Sequence, residues 1–245
     1  MQLFCLGSSS SGNGYILKGE SSALVIEAGV PLNRVKKAMD FQMDAIEGVI
    51  ISHSHNDHCG RANEYAKAGL QIFSNEDTIN TLDKRFSHNY SVVKPQVKIK
   101  LQEFTILAFN VVHDVTCYAY LIHHEECGLT CFITDSMYSP ARLPGLNNIL
   151  VEANYMEDVL FDNVMAGSVA PSLADRIRQS HMSFETCIEF LDANDLLKVN
   201  NIVLLHLSNQ NSNARHMQAK IQYTYGKMCH IADTGTVIEL NVTPF

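Results

Sequence analysis

The sequence predicts an α/β chain folded as a four-layer αββα sandwich, one domain running over residues 1–245. Three observations carry that expectation. Short apolar, strand-like runs come in two batches with helical patterns interspersed. A helix-rich stretch lies between residues 156 and 193. No internal repeat, composition break or linker divides the chain. Two sheets packed face to face with helices outside would bury such elements on all their apolar faces.

The elements follow in order. Residues 2–6 form an apolar run that stops at the Ser/Gly segment 7–14. Residues 15–18 and 23–27 are two further runs, so three strands joined by turns are expected. Pro31 opens a helical pattern to Met39, proline suiting a first-turn position. Residues 48–51 are a β-branched apolar run that ends at a histidine cluster. A helix over 61–67 is closed by Gly69, and a short strand at 71–73 and a short helix at 76–82 follow. Strands are expected at 97–101, 104–112, 118–123, 129–133 and 148–151. Helices are expected at 156–165, 173–178 and 183–191, the last starting at Ser183 with Thr186 nearby. A strand at 202–205, a helix at 214–223 and a strand at 237–240 complete the reading.

The bulk numbers narrow the function classes. Hydrophobic residues make up 46% and charged residues 18%, ordinary for a chain that buries a sizeable core. The net charge of −8, with no basic stripe, disfavours a long polyanionic partner. Seven cysteines with no CxxC pair argue against a disulfide framework and for a reducing compartment. The first residues show no basic start before a long apolar run, and no stretch approaches membrane-spanning length. A soluble, cytoplasmic protein is therefore expected.

The decisive segment is Ser52-His53-Ser54-His55-Asn56-Asp57-His58-Cys59. Three imidazoles and one carboxylate fall within six positions, from His53 to His58. In extended backbone His53 and His55 project to the same side. A turn at Asp57 and His58 could aim both at a second centre. Imidazole and carboxylate suit zinc. A lone histidine is usually a surface or core residue, but this density of ligand groups at a strand end reads as a metal loop.

This loop resembles the HxHxDH signature of the metallo-β-lactamase superfamily, which builds two metal sites from it and from later strand ends. The resemblance implies further ligands, and His113, Asp135 and His206 each follow an apolar run in the expected order. It assigns His53, His55 and His113 to one metal, Asp57, His58 and His206 to another, and Asp135 to both. Two divalent ions are implied, zinc or manganese. They would generate a metal-bound hydroxide near neutral pH, which Asp57 would also orient. Histidines 88, 123, 124, 216 and 230 fit no ligand position.

Three more segments point to a branch. Val151-Glu152-Ala153-Asn154 resembles an acidic segment of ribonuclease Z-like enzymes, although its usual leading histidine is replaced by Val151. Ser180-His181-Met182-Ser183, opening a helix, and Leu205-His206-Leu207-Ser208 resemble two later segments of that group. The resemblance makes His181 a general acid and Glu152 its partner. The Ser/Gly start and the ending His206-Leu207-Ser208-Asn209 look like the WalJ/YycJ-like branch, and also like small cyclic-nucleotide phosphodiesterases of the anti-Pycsar group. The long basic arm with which ribonuclease Z grips tRNA has no counterpart. The expected substrate is a small phosphodiester, a cyclic nucleotide or a nucleic-acid end, with structured RNA disfavoured and a homodimer implied by analogy. A thioester or lactam hydrolase, a WalJ-YycJ-like exonuclease and a non-catalytic metal-holding protein are the alternatives. Ser8–Ser11 is either a turn or a loop beside the substrate phosphate.

Overall fold

The computed structural model describes residues 1–243. Its strands, in chain order, are β1 (Gln2–Gly7), β2 (Gly14–Lys18), β3 (Ala23–Ile26), β4 (Ile46–Ile50), β5 (Ile72–Ser74), β6 (Tyr90–Val92), β7 (Lys98–Lys100), β8 (Thr105–Val111), β9 (Cys117–His124), β10 (Gly128–Ile133), β11 (Asn148–Glu152), β12 (Asn201–Leu205), β13 (Met228–Ile231) and β14 (Val237–Glu239). Its α-helices are α1 (Leu32–Ala38), α2 (Asn56–Cys59), α3 (Ala62–Lys67), α4 (Glu76–Thr81), α5 (Glu157–Met165), α6 (Pro171–Ser180), α7 (Phe184–Asp192) and α8 (Ala214–Tyr225). Two seven-stranded sheets form, ordered β14-β1-β2-β3-β4-β5-β6 and β13-β12-β11-β10-β9-β8-β7.

Alternation along the strands explains the layers. In β3, Leu24 and Ile26 join a central cluster with Phe132, Leu150 and Val203 of the other sheet. Their neighbours Ala23 and Val25 face outward onto Val35 of α1 and Tyr65 of α3. In β12, Val203 and Leu205 point inward, while Ile202 and Leu204 pack beside Phe190 of α7 and Met217 of α8. Burial on both faces is why these strands read as unbroken apolar runs. The four-layer αββα expectation is met.

Three edge strands depart from the sequence reading. β6 and β13, at the far edges of their sheets, were not expected, because Tyr90–Val92 is short and half-buried and Met228–Ile231 mixes exposed and buried positions. The strand expected at 97–101 shortens to Lys98–Lys100, whose lysines face solvent. Both are what an edge with one dry face looks like. Ser183 caps α7 as expected, its side chain accepting from Thr186 N. His181 closes α6 rather than opening α7.

Strand direction places the functional edge. β3, β4, β5 and β6 run parallel, and β1 is antiparallel to β2, itself antiparallel to β3. β10 to β13 run parallel, and β8 shares their direction through β9. The carboxyl ends of β1, β3 and β4 in one sheet therefore share a rim, as do those of β8, β10, β11 and β12 in the other. Such a rim is where open α/β sheets place ligands. No helix among the described residues is long and apolar enough to cross a membrane.

Candidate metal centre

Every predicted ligand stands at this rim. His53 follows β4, His55 caps α2, and Asp57 and His58 lie within that single turn. The turn supplies the change of direction that Asp57 and His58 were expected to need. His113 follows β8, Asp135 follows β10, and His206 follows β12 directly. His53, His58, Asp135 and His206 are all but inaccessible.

The donors gather into three overlapping groups. His53, His55, His113 and Asp135 offer atoms within 4.8 Å of one another, as do Asp57, His58 and Asp135. Asp135, Glu152, His181 and His206 make the third. Asp135 belongs to all three. His206 turns Nδ1 toward Asp135 Oδ1 at 3.0 Å and Glu152 Oε1 at 3.3 Å, with Nε2 3.9 Å from Asp57 Oδ2.

The surrounding hydrogen bonds suit a cation. His113 Nδ1 donates to the Ser180 carbonyl at 3.0 Å, leaving a neutral ring's Nε2 lone pair aimed inward, 3.3 Å from His55 Nδ1. His53 Nδ1 is held by Ser52 Oγ at 2.8 Å, and its Nε2 lies 3.0 Å from His55 Nδ1. Facing imidazole nitrogens with their outer atoms tied down form a donor set for a divalent metal.

Electrostatics point the same way. Burial disfavours charge on His58, but Asp135 and Glu27 outweigh it and hold its pKa well above the usual imidazole value. Burial likewise opposes charge on His206, yet Asp135 and Glu152 push it up to about 10. Burial alone would raise Asp135, but His206 and His58 hold it well below the ordinary carboxylate range. These carboxylates demand positive charge at their centre.

Some residues that contact the predicted ligands carried no signal in the sequence. Glu27 directly follows β3, is wholly buried, and places Oε2 3.4 Å from His58 Nδ1, a nitrogen with no hydrogen bond. Glu27 also accepts from Ser52 N at 3.2 Å, tying the β3 and β4 ends together. Asn13 sets Nδ2 3.2 Å from Asp57 Oδ2 and 2.9 Å from His58 Nε2, holding that pair side by side. Asp114 reaches His113 Nε2 at 3.0 Å and His55 Nε2 at 3.4 Å. A glycine after β3 could have hinted at this packing. A Cβ on Gly29 would lie 1.7 Å from the Asp57 carbonyl oxygen. Gly29→Ala is therefore expected to displace the Asp57 turn and to lower bound metal by at least about tenfold in affinity, read by competition with a chromophoric chelator.

His181 and Glu152 meet as the sequence reading required. Glu152, fully buried, accepts from His181 Nδ1 at 2.8 Å through Oε1. Its Oε2 accepts from Ser136 N at 3.0 Å and Met182 N at 3.2 Å. Burial opposes charge on His181, but Glu152 prevails and lifts its pKa above the ordinary value. A cavity of about 190 Å³ opens here, lined by His55, Asp57, His113, Asp135, His181 and Arg176 among others. The Ser8–Ser11 segment is part of this wall: Ser8 Oγ accepts from His206 N at 2.8 Å, and Ser10 lines the cavity. The five other histidines stay outside it; His124, for one, is buried against Glu103 at 3.2 Å.

Residues 9–70 match the family model described as "Metallo-beta-lactamase superfamily". Exodeoxyribonuclease WalJ of Streptococcus pneumoniae is 24% identical over 226 residues, covering 84% of this chain and 81% of that protein. Zn(2+)-bound PqqB from Methylobacterium extorquens has the same fold, with a TM-score of 0.73 at 15% identity over 98% of this chain and 100% of that one. Human tRNase Z, short form, gives 0.66 at 13% identity, over 98% of this chain and 99% of that one.

Proposed function

We propose that this chain, whose residues 9–70 match a metallo-β-lactamase superfamily model, is a dinuclear zinc phosphodiesterase that cleaves a small nucleotide or a nucleic-acid end. The observation that carries the reading is the His181–Glu152 pair, held at 2.8 Å at the edge of the cavity that collects the ligand groups. A thiolate leaves without such an acid, so thioester hydrolysis would not need the pair.

His53, His55 and His113 would hold one metal and Asp57, His58 and His206 the other, with Asp135 available to both. When bound, two divalent cations acidify a water and polarise a phosphoryl oxygen. The chain's own groups do the rest. Asp57, partly exposed at the cavity, orients the attacking water. Glu152 takes the Nδ1 proton of His181 as a hydrogen bond, so Nε2 is the atom offered to substrate. From Nε2 a proton passes to the leaving oxygen, which would otherwise depart as a costly alkoxide. Arg176, at the cavity wall, lies where it can meet the phosphate charge.

Two further readings belong here. The central apolar cluster draws on both sheets, which supports one domain over the whole chain. Seven buried, unpaired cysteines support a reducing, cytoplasmic setting.

A substrate panel tests the function: bis(p-nitrophenyl) phosphate, a 3′,5′-cyclic mononucleotide, single-stranded DNA, precursor tRNA and a thioester, each with zinc and with manganese. Phosphodiesters other than the structured RNA are expected to be cleaved, and chelation should abolish the activity. Turnover of the thioester with no phosphodiester cleaved would overturn the reading.

A further inference from the structure

The Ser8–Ser11 loop is a wall shared by three cavities. The metal cavity takes Ser10. On one side lies a space of about 320 Å³ that takes Ser8 and Ser9 together with Ser208, Asp233 and Thr234, and no lysine or arginine lines it. On the other side lies a cleft of about 480 Å³ lined by Ser10, Ser11, Asn56, Asp57, Arg34 and Arg61, among others. Asp57 and Ser10 line both this cleft and the metal cavity, so the two lie side by side.

The two flanks differ in charge. In a chain of net charge −8, two arginines converge on one flank, and the opposite flank offers Asp233. Arg34 spends one nitrogen on the Leu6 carbonyl at 2.8 Å, which anchors its stem beside the loop. Arg61 contacts the half-exposed Glu64 through one nitrogen at 3.0 Å. A guanidinium has five N–H donors in a planar fork, so each arginine keeps further donors while it lines the cleft. The one carboxylate lining it, Asp57, belongs to the ligand set, where bound cations would offset its charge. Serine hydroxyls and paired guanidinium groups beside a hydrolytic centre are what a second phosphate would need.

We infer that the cleft between the Ser10–Ser11 loop and the first turns after β3 and β4 is a second phosphate subsite, in which Arg34 and Arg61 hold the phosphate next to the scissile one. This rests on the phosphodiesterase reading and sharpens it: among the phosphodiesters cleaved, those with at least two phosphates along a chain bind best, as a strand end offers and a cyclic mononucleotide does not. The nucleoside on the other side of the cut lies toward Asp233.

The test is binding, so that it stands apart from turnover. Three thymidine dinucleotides are titrated into metal-loaded protein: one without a terminal phosphate, one 5′-phosphorylated and one 3′-phosphorylated. Each carries a methylphosphonate at the scissile link to block cleavage. One of the two phosphorylated forms should bind at least about tenfold tighter than the unphosphorylated one, as a charge-assisted fork would give. In Arg34→Gln/Arg61→Gln that ratio should fall to within about twofold. Equal binding of all three by the unaltered protein, or a ratio that survives in the double variant, overturns the inference. If loss of the Arg34 contact with Leu6 unfolds the double variant, as far-ultraviolet circular dichroism would show, Arg61→Gln alone should lose about threefold of the ratio, and no loss overturns it. A protein that shows the phosphate preference but cleaves no phosphodiester retains the subsite and loses the catalytic assignment.

Discussion

Asp135→Ala is expected to cut turnover of bis(p-nitrophenyl) phosphate by at least about a thousandfold and to lower the amount of metal the chain binds. Asp135 is 2% exposed and is the one residue common to all three donor groups. It lies 3.3 Å from His58 Nε2 and 3.0 Å from His206 Nδ1. Its removal deprives both candidate sites of an anionic donor at once. It also leaves buried imidazoles whose positive charge it had matched, a loss of about 3–5 kcal/mol in stability when one partner of a buried pair is deleted. Turnover, metal content by mass spectrometry and urea denaturation check the three consequences separately. Undiminished turnover in a variant shown to hold both metals would remove Asp135 from the mechanism.

His181→Gln is expected to split two substrates that differ only in leaving group. A dinucleotide link departs as an alkoxide and needs a proton; p-nitrophenolate leaves unaided. The variant should therefore lose about 10²–10⁴-fold in kcat on a dinucleotide and less than about tenfold on bis(p-nitrophenyl) phosphate. Glu152→Gln, which keeps the shape but weakens the grip on His181 Nδ1, should lose about 10–100-fold on the dinucleotide. Equal losses on both substrates would mean that His181 shapes the site without supplying a proton.

Much of this centre was legible in the sequence because it is local. His53 to His58 lie on one turn, and His113, Asp135 and His206 each announce themselves as a polar residue closing an apolar run. The helix at 183–191 was legible for a similar reason, since Ser183 caps it with its own side chain. What escaped depends on distance in the chain. Glu27 reaches His58 and Asn13 reaches Asp57 across gaps of 31 and 44 residues, through strand order that no short pattern encodes. Arg34 and Arg61 sit in unrelated helical surroundings and share a cleft only because β3 and β4 are neighbours. The missed strands β6 and β13 lie on sheet edges, where one face meets water and the apolar signal halves. His206 was expected beside Asp57 and His58; its Nδ1 faces Asp135 and Glu152 as well, a side-chain rotation that spacing cannot fix.

Three side chains reach the cluster from unusual backbone. Glu27 has φ 66°, Asp135 φ 44° and His206 φ 54°, a left-handed region that glycine enters without penalty and side-chain-bearing residues do not. Each such position costs about 1–3 kcal/mol, against a net stability of about 5–15 kcal/mol for a folded domain. Glycine at 27, 135 or 206 would relieve that strain, but the gain is smaller than the about 3–5 kcal/mol lost when one partner of a buried pair is deleted. Each of those steps would delete a carboxylate or an imidazole from the centre. The buried pairs therefore keep charged side chains at three positions whose backbone alone would favour glycine, and a melting-temperature screen is expected to retain them.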